Sequence, residues 1–166
     1  ASVNGMPFLS AREVAGAMAL VTMATEPNAE IVGFHTEVYR PLPIRPSMRL
    51  DEVTRILKSF PPMWTFCSAP IREALDTRSP FDTFVMYTDS ETADGSSHFA
   101  APSATPAEVL RRYRETMGIP TRMVVAAVAA NAISLADPGN AGMLDVCGFS
   151  ADVPSVIASF VGGEMC

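Results

Sequence analysis

A run of oxygen-bearing side chains directly follows an apolar segment near the middle of the sequence. The apolar residues at 84–86 lead into Thr88-Asp89-Ser90-Glu91-Thr92. Segment 81–89 is apolar and β-rich, which is typical of a strand covered on both faces of a sheet. Oxygen atoms at the end of such a strand could bind a hard cation such as Mg²⁺. They could also cap the following turn, which is the more usual role of Asp, Ser and Thr there.

Two other segments offer oxygen atoms of the same kind. The stretch "WTFCS" at 64–68 precedes a predicted helix, and "ASVNGM" at 1–6 precedes the first predicted helix. Ligands of open α/β sheets bind outside the carboxyl ends of the strands, where loops converge. Because Mg²⁺ prefers near-octahedral oxygen coordination, three such loops in one crevice would suit it.

The elements that must position these loops alternate between helix and strand. Segment 9–25 has apolar residues at helical spacing, with Ser10 as N-cap and Glu13 completing a capping box. Start and stop signals predict further helices at 49–60, 68–78, 105–118 and 153–160, with Ser68 and Thr105 as N-caps. Apolar, β-rich runs predict strands at 81–89, 122–130 and 132–138, and two short runs divided near His35 within 30–42.

This alternation predicts the fold class. Strands that are apolar throughout and separated by helices indicate an α/β domain with a doubly wound, mostly parallel sheet and helices on both faces. The loop "ADPGNAGMLDVCGF" at 136–149 is expected to form a turn at Asp137-Pro138-Gly139 and then return apolar side chains and a buried Cys147 to the core.

Composition and charge limit the function classes. The 166 residues suffice for one domain with a substantial core. A net charge of −6 argues against general affinity for nucleic-acid backbones. No apolar run reaches the roughly 18 residues of a membrane-spanning helix. Three widely spaced cysteines without a CxxC pair fit a reducing compartment, and we expect the cytoplasm.

Four stretches carry a resemblance to a known family. "REVAGAMALVTMATEP", "TFCSAPI", "FVMYTDSET" and "ADPGNAGMLDVCGF" resemble the carboxyl-terminal domain of Ro (TROVE) proteins, a family of ring-shaped RNA-binding proteins. That domain is of the von Willebrand factor A type, whose metal-ion-dependent adhesion site combines a DxSxS stretch, a Thr and an Asp. The resemblance covers nearly the whole chain, and its last stretch is long and specific.

The resemblance implies a set of metal ligands. Thr65 matches the metal-site threonine and Asp89 the metal-site aspartate, while Ser2 and Asn4 match the two serines of DxSxS. Asn4 offers an amide oxygen in place of a hydroxyl. The leading Asp and the first central strand of the fold have no counterpart in residues 1–166. We therefore expect a single von Willebrand factor A-like domain, incomplete at its amino end, whose missing strand and Asp come from another polypeptide.

The same resemblance implies a function. The chain is expected to be a non-enzymatic binding and scaffold domain of a Ro-type RNA-binding particle, with Mg²⁺ or another divalent cation at the adhesion-like site. The helical-repeat ring of Ro proteins is not recognisable in the sequence, so RNA binding is expected only through the larger assembly, and no RNA-contacting residue is assigned. The alternative is a structural remnant domain, with a decayed metal site, that packs against another polypeptide.

The sequence supports a catalytic function less well than a binding function. Cys67 and His35 could form a nucleophilic pair, but the sequence indicates no Asn or Asp that would orient the histidine. Asp137 and Asp145 could be an acid and base, although nothing indicates a shared cleft. His98 is most simply a surface histidine and Trp64 a packing residue. We predict no catalytic residues.

Overall fold

The computed structural model of the chain describes residues 2–3, 6–40, 42–61, 65–89, 104–129 and 135–163. Within these ranges the strands are β1 Ser2–Val3, β2 Met6–Ser10, β3 Gly33–Phe34, β4 Val38–Tyr39, β5 Thr83–Thr88, β6 Arg122–Ala127 and β7 Met143–Cys147. The helices are α1 Ala11–Thr25, α2 Leu50–Lys58, α3 Ala69–Asp76, α4 Pro106–Met117 and α5 Val153–Gly162.

Reciprocal capping fixes the starts of two helices. Before α1, the Ser10 amide donates to the Glu13 carboxylate at 2.8 Å, and the Glu13 amide donates to the Ser10 hydroxyl at 3.3 Å. The Ser10 hydroxyl also donates to the Glu13 carboxylate at 2.7 Å, and the two hydrogen bonds that this carboxylate accepts from Ser10 are the main cause of the lowered pKa of Glu13. Thr105 and Glu108 repeat the arrangement before α4, and Gly118 ends that helix with φ +68°. The capping box predicted at Ser10 is therefore confirmed.

The start of α3 differs from the prediction in one respect. Pro70 lies in the first turn, as expected, because its fixed φ suits a helix start and its missing amide hydrogen is not needed there. Ser68 occupies the N-cap position but makes no capping hydrogen bond with its side chain. Its backbone is already helical, with φ −75° and ψ −19°, whereas a capping side chain normally requires an extended residue.

Strands β5, β6 and β7 form a parallel sheet in that order. Thr83 to Thr88 of β5 pair with Arg122 to Ala127 of β6, and Met123 to Ala127 of β6 pair with Met143 to Cys147 of β7. Strand β6 is the central strand of the three, and all but the first of its residues are buried. A buried parallel sheet of this kind is the predicted α/β architecture, which the structure confirms.

Helices cover both faces of this sheet. Met123 and Val125 of β6 pack in one cluster with Ile71 of α3 and Leu110 of α4. Ala126 points to the opposite face, where it packs with the residues of α1. Val124 packs on that second face against Val153, Ile157 and Phe160 of α5. The alternation of side chains along a fully apolar strand thus supplies two separate cores.

The strand predicted at 132–138 is wrong in position. Residues 132–134 lie outside the described ranges, and residues 135–138 are not a strand. The amides of Leu135 and Ala136 instead donate to the Asp145 carboxylate at 2.7 and 2.8 Å, which satisfies them without a strand partner. The paired strand is β7. Cys147 is also exposed rather than buried, because it is the last residue of this edge strand.

Two short hairpins complete the described strands. The hairpin β3–β4 confirms the division predicted near His35. The hairpin β1–β2, in which Ser2 pairs with Ser10, was not predicted because its strands carry no alternating pattern. Neither hairpin is hydrogen-bonded to the parallel sheet, so within the described residues β5 has a strand neighbour only on its β6 side.

Candidate metal site at the carboxyl end of the sheet

Asp89 follows β5 directly at the carboxyl end of the parallel sheet. Its side chain is exposed, and its main-chain carbonyl accepts a 2.9 Å hydrogen bond from the Ala129 amide. The carbonyl of Thr88 likewise accepts from the Val128 amide at 3.0 Å. Main-chain hydrogen bonds between the two segments therefore continue past the ends of β5 and β6. They hold the backbone of Asp89 in place, while its side chain stays exposed to solvent.

Thr88 contributes an unusual polar atom at the same place. Its residue is 7% exposed, and its hydroxyl oxygen is buried with no hydrogen-bond partner in the described part of the chain. By strand alternation its side chain lies on the same face as Phe84 and Met86, which pack against α3 and α4. A buried hydroxyl without a partner is costly, and such an atom beside an exposed carboxylate is consistent with a ligand-binding position.

Thr65 lies at the same end of the sheet for a topological reason. Helix α3 and strand β5 are consecutive and pack together with a short connection, so the residues before α3 and those after β5 lie at one end. Thr65 is half-buried, and the next residue, Phe66, donates its amide to the His35 carbonyl at 3.0 Å. That bond ties the loop before α3 to the β3–β4 hairpin.

Strand β1 also lies near the carboxyl end of the parallel sheet. Val3 is 2% exposed and packs in one cluster with Ala126 and Val128, the last residues of β6 and the turn that follows. The backbone of Ser2, next to Val3, therefore lies at the carboxyl end of the sheet. Asn4 lies outside the described residues. Of the four predicted metal-site residues, the structure thus brings three segments, those of Ser2, Thr65 and Asp89, to one end.

The donor types at this end suit a hard cation. The hydroxyl oxygens of Thr65 and Thr88 and the carboxylate of Asp89 are ligands of the kind that Mg²⁺ accepts, with water filling further positions. Among the described residues there is no group of three or more His, Cys, Asp or Glu side chains that could hold a metal on its own. A cation here would therefore depend on hydroxyl oxygens and on ligands beyond those described.

The Cys67 and His35 pair does not have the geometry of a nucleophile and base. The Nδ1 atom of His35 accepts hydrogen bonds from the amides of Thr36 and Glu37, so this nitrogen is committed to the local turn. His35 is 8% exposed and its ring stands edge-on to Tyr39, with 4.5 Å between ring centroids. Cys67 is fully buried. Both residues pack the interior, whereas His98 and Trp64 lie outside the described ranges.

Two polar residues important to this region escaped the sequence interpretation. Thr88 was grouped with the oxygen-bearing residues at the end of the predicted strand, although its position in the buried alternation of β5 indicated an inward hydroxyl. Asp145 was assigned to a loop, although it holds the amides of Leu135 and Ala136. A carboxylate between Leu144 and Val146 is the signal, because an acidic residue inside an apolar strand needs specific partners.

Comparison with known proteins identifies the family. The sequence model of the family described as the Ro60 vWA domain matches residues 1–161. This chain belongs to the Ro60 vWA domain family. The predicted resemblance to the carboxyl-terminal domain of Ro proteins is thereby confirmed.

Relatives of the Ro60 vWA family extend well beyond the matched region. The RNA-binding protein RO60 of Deinococcus radiodurans is 38% identical over 163 residues, which cover 98% of this chain and 29% of that protein. The RNA-binding protein RO60 of Caenorhabditis elegans is 33% identical over 158 residues, covering 95% of this chain and 23% of that protein. The chain therefore spans less than a third of the length of these two relatives.

A solved structure shares the fold. The crystal structure of the Deinococcus radiodurans RO (RSR) protein superimposes with a TM-score of 0.86 and 36% sequence identity. The match covers 99% of this chain and 32% of that chain. Among the described residues of the present Ro60 vWA domain, no helix combines the length and hydropathy needed to cross a membrane.

Proposed function

We propose that this chain is a non-enzymatic binding and scaffold domain of a Ro-type RNA-binding particle, and that it binds a divalent cation at the carboxyl end of its sheet. The observation that supports the metal site is the exposed Asp89 carboxylate at the carboxyl end of the parallel sheet, next to a buried Thr88 hydroxyl that has no hydrogen-bond partner among the described residues. Membership of the Ro60 vWA family supports the particle. A location in the cytoplasm is part of the same proposal, because three widely spaced cysteines without a CxxC pair fit a reducing compartment.

The proposed ligands are Ser2, Asn4, Thr65 and Asp89, with Mg²⁺ as the cation. A bound Mg²⁺ would offer an open position to a carboxylate or another acidic group of a partner. Asp89 would supply negative charge to the cation, Thr65 a neutral oxygen, and the Ser2 and Asn4 segment the remaining side-chain oxygens. The chain's own contribution is to hold these segments together through Val3, Phe66 and the Ala129 amide.

RNA binding is proposed for the particle and not for this domain alone. The two relatives are named RNA-binding proteins, and this chain covers 29% and 23% of their lengths. The net charge of −6 disfavours direct, sequence-independent contact with phosphates, because such contact relies on clustered Lys and Arg. A scaffold role for the domain explains how a chain with a net negative charge can belong to a family whose named members are RNA-binding proteins.

A further strand is proposed on the side of β5 away from β6, where no described residue pairs with it. Val85 is 37% exposed although it lies in the middle of an apolar strand, opposite the buried side chains of Phe84 and Met86. The unpaired edge of such a strand is a template for another strand. We propose that a segment of another polypeptide pairs with β5 there and brings the Asp that completes the metal site.

A metal titration tests the proposal. The chain is assembled with a synthetic segment consisting of an apolar strand that ends in Asp, and its melting temperature is measured with and without Mg²⁺ or Mn²⁺. We expect the metal to raise the melting temperature by several degrees, because a ligand that binds only the folded state stabilises it. Asp89→Ala should abolish the rise, whereas Asp82→Ala should retain it, since Asp82 is an exposed carboxylate at the opposite end of β5.

Three outcomes would contradict parts of the proposal. No response to the metal in the wild-type chain would favour the remnant domain with a decayed site. Equal rises in wild type, Asp89→Ala and Asp82→Ala would exclude Asp89 as a metal ligand. A chain that is monodisperse and unfolds cooperatively as a monomer, with no effect of the added segment, would contradict the further strand at β5.

A further inference from the structure

The two nitrogens of the His35 imidazole have different surroundings. Nδ1 accepts hydrogen bonds from the amides of Thr36 and Glu37, and the Thr36 hydroxyl lies 2.7 Å from the same atom. Because a nitrogen that accepts carries no hydrogen, the neutral ring holds its hydrogen on Nε2. His35 is 8% exposed, and its Nε2 atom is buried with no hydrogen-bond partner in the described part of the chain.

A donor in this position needs an acceptor. Burial removes it from bulk water, and a buried donor without an acceptor is costly enough that native structures contain few of them. The ring stands edge-on to Tyr39, which in turn packs on Phe60 with 5.2 Å between ring centroids. Aromatic rings bind an N–H group only weakly and do not replace an oxygen acceptor. The acceptor is therefore expected from a group that binds next to His35.

The β3–β4 hairpin, whose turn contains His35, is anchored to the same helix as β5. Phe34 of β3 packs against the cluster that contains Ile71 of α3 and Phe84 of β5. The amide of Phe66, just before α3, donates to the His35 carbonyl at 3.0 Å. Among the described residues, however, the hairpin is not hydrogen-bonded to the parallel sheet. The two elements thus share α3 as a support while their strands remain separate.

Val85 and His35 both lie outside the cluster on α3. Along β5, Val85 alternates with Phe84, which faces that cluster, so its side chain faces away and is 37% exposed. In the hairpin, Phe34 faces the same cluster, whereas the ring of His35 lies against Tyr39. An exposed apolar side chain and an unsatisfied donor therefore occur together on two neighbouring elements.

We propose that the segment of another polypeptide that pairs with β5 passes between β5 and the β3–β4 hairpin, covers Val85, and accepts a hydrogen bond from His35 Nε2 through a main-chain carbonyl. This inference rests on the further strand of the proposed function and assigns a recognition residue to it. One occupant then accounts for both the exposed Val85 and the unsatisfied donor. Strands present carbonyls along their edges, which makes a strand a suitable source of the acceptor.

The chemistry of the ring favours an uncharged acceptor. A carboxylate would favour the doubly protonated imidazolium, which would need a hydrogen on Nδ1, where two amides already donate. A donor at a fixed position also selects the register of the segment, because a shift by one residue would turn its side chains to the opposite face. In this way His35 would determine which residue of the segment reaches the carboxyl end of the sheet near Asp89.

Binding of a synthetic segment to His35 variants tests the contact. The probe is a labelled peptide with an apolar strand that ends in Asp, followed by fluorescence anisotropy in EDTA, so that metal binding plays no part. His35→Asn keeps an acceptor for the amides of the turn but has no donor at the position of Nε2. We expect about three- to tenfold weaker binding than in wild type, the range of one net hydrogen bond. Tyr39→Phe, in the same hairpin, is the matched control and should bind like wild type.

The stability of the chain without the segment separates recognition from a merely structural role. Because Nε2 has no partner there among the described residues, His35→Asn should leave the urea midpoint of the free chain unchanged. His35→Ala also removes the acceptor of the Thr36 and Glu37 amides, so it should lower that midpoint.

NMR of the imidazole groups gives a measurement on the wild-type chain. The sequence has two histidines, His35 and His98, so a His98→Gln variant assigns both resonances. The added segment should move the Nε2 hydrogen of His35 downfield and slow its exchange with water by about tenfold or more. The resonance of His98 should stay unchanged.

Three results would overturn the proposal, and they differ in what else they affect. Equal affinities of wild type and His35→Asn would remove the role of His35 but leave the further strand in place. A His35 Nε2 hydrogen that is already hydrogen-bonded in the free chain would show that the chain itself supplies the acceptor. A wild-type chain that does not bind the segment would contradict both this contact and the strand proposed at β5.

Discussion

The main-chain carbonyl of Asp89 accepts a 2.9 Å hydrogen bond from the amide of Ala129. A cation bound by the Asp89 carboxylate would restrain this backbone, so saturating Mg²⁺ should slow hydrogen exchange of the Ala129 amide by about tenfold or more. The measurement is amide exchange by NMR on the assembled domain. The slowing should persist in Asp82→Ala and vanish in Asp89→Ala. Unchanged exchange in the wild-type domain with Mg²⁺ would contradict cation binding at Asp89.

The Asp145 carboxylate holds the start of the segment that leads into β7. Asp145→Ala should lower the free energy of unfolding by about 2–4 kcal/mol, because it leaves the half-buried amides of Leu135 and Ala136 without their acceptor. Asp145→Asn keeps one acceptor oxygen and should cost less. Urea denaturation provides the measurement. The control is Asp137→Ala, whose carboxylate accepts one exposed amide hydrogen bond, from Gly139, and should cost under about 1 kcal/mol.

The Tyr113 hydroxyl joins α4 to the segment before β5. It donates to the Ser79 carbonyl at 2.6 Å and accepts from the Phe81 amide at 2.7 Å, in a side chain that is fully buried. Tyr113→Phe should therefore destabilise the fold by about 2 kcal/mol, since the half-buried Ser79 carbonyl and Phe81 amide lose their partner. Thermal and urea unfolding measure the loss. Tyr39→Phe should change stability by less than about 0.5 kcal/mol, because no hydrogen bond of the Tyr39 hydroxyl occurs among the described residues.

Tyr87 makes stability depend on alkaline pH. Burial raises the pKa of Tyr87 from 10.0 to about 12. A raised pKa means that the folded state keeps this proton when the unfolded chain has lost it, so the stabilisation is complete below pH 10 and is lost between pH 10 and 12. The expected loss is up to about 3 kcal/mol.

Denaturation at several pH values checks this dependence. Tyr87→Phe should remove most of the alkaline loss, and Tyr39→Phe should keep it. Burial also raises the pKa of Tyr113, so a smaller dependence of the same sign should remain in Tyr87→Phe. An alkaline profile identical in wild type and Tyr87→Phe would show that Tyr87 is not the responsible group.

The helices and two of the three parallel strands, β5 and β6, were predictable because their signals are local. The Ser10 and Glu13 capping box, the Thr105 start and the Gly118 end of α4 each depend on residues within one turn of the helix. The uninterrupted apolar residues of β5 and β6 predicted a sheet covered on both faces. Val85 of β5 is more exposed than that prediction implies. The position of Asp89 at a strand end followed from the same pattern.

The parts that were not predicted depend on contacts between distant residues. Segment 135–138 is apolar enough to suggest a strand, but the Asp145 carboxylate takes its first two amides. The burial of the Thr88 hydroxyl depends on the helices packed over β5. The convergence of Ser2, Thr65 and Asp89 on one end of the sheet agrees with the proposed site, and their joint binding of a cation stays a prediction.

The pairing of β5 with β6 also has a consequence for how this domain folds. Thr83 pairs with Arg122, 39 positions later, whereas Met123 of β6 pairs with Met143, 20 positions later. Closing the longer loop costs more chain entropy, and non-local parallel pairing is slow. On a ribosome, β5 would therefore wait for β6 to emerge before it gained its parallel strand partner. The backbone of β5 is thus the part of the described parallel sheet that a nascent chain would leave without a strand partner for the longest stretch of synthesis.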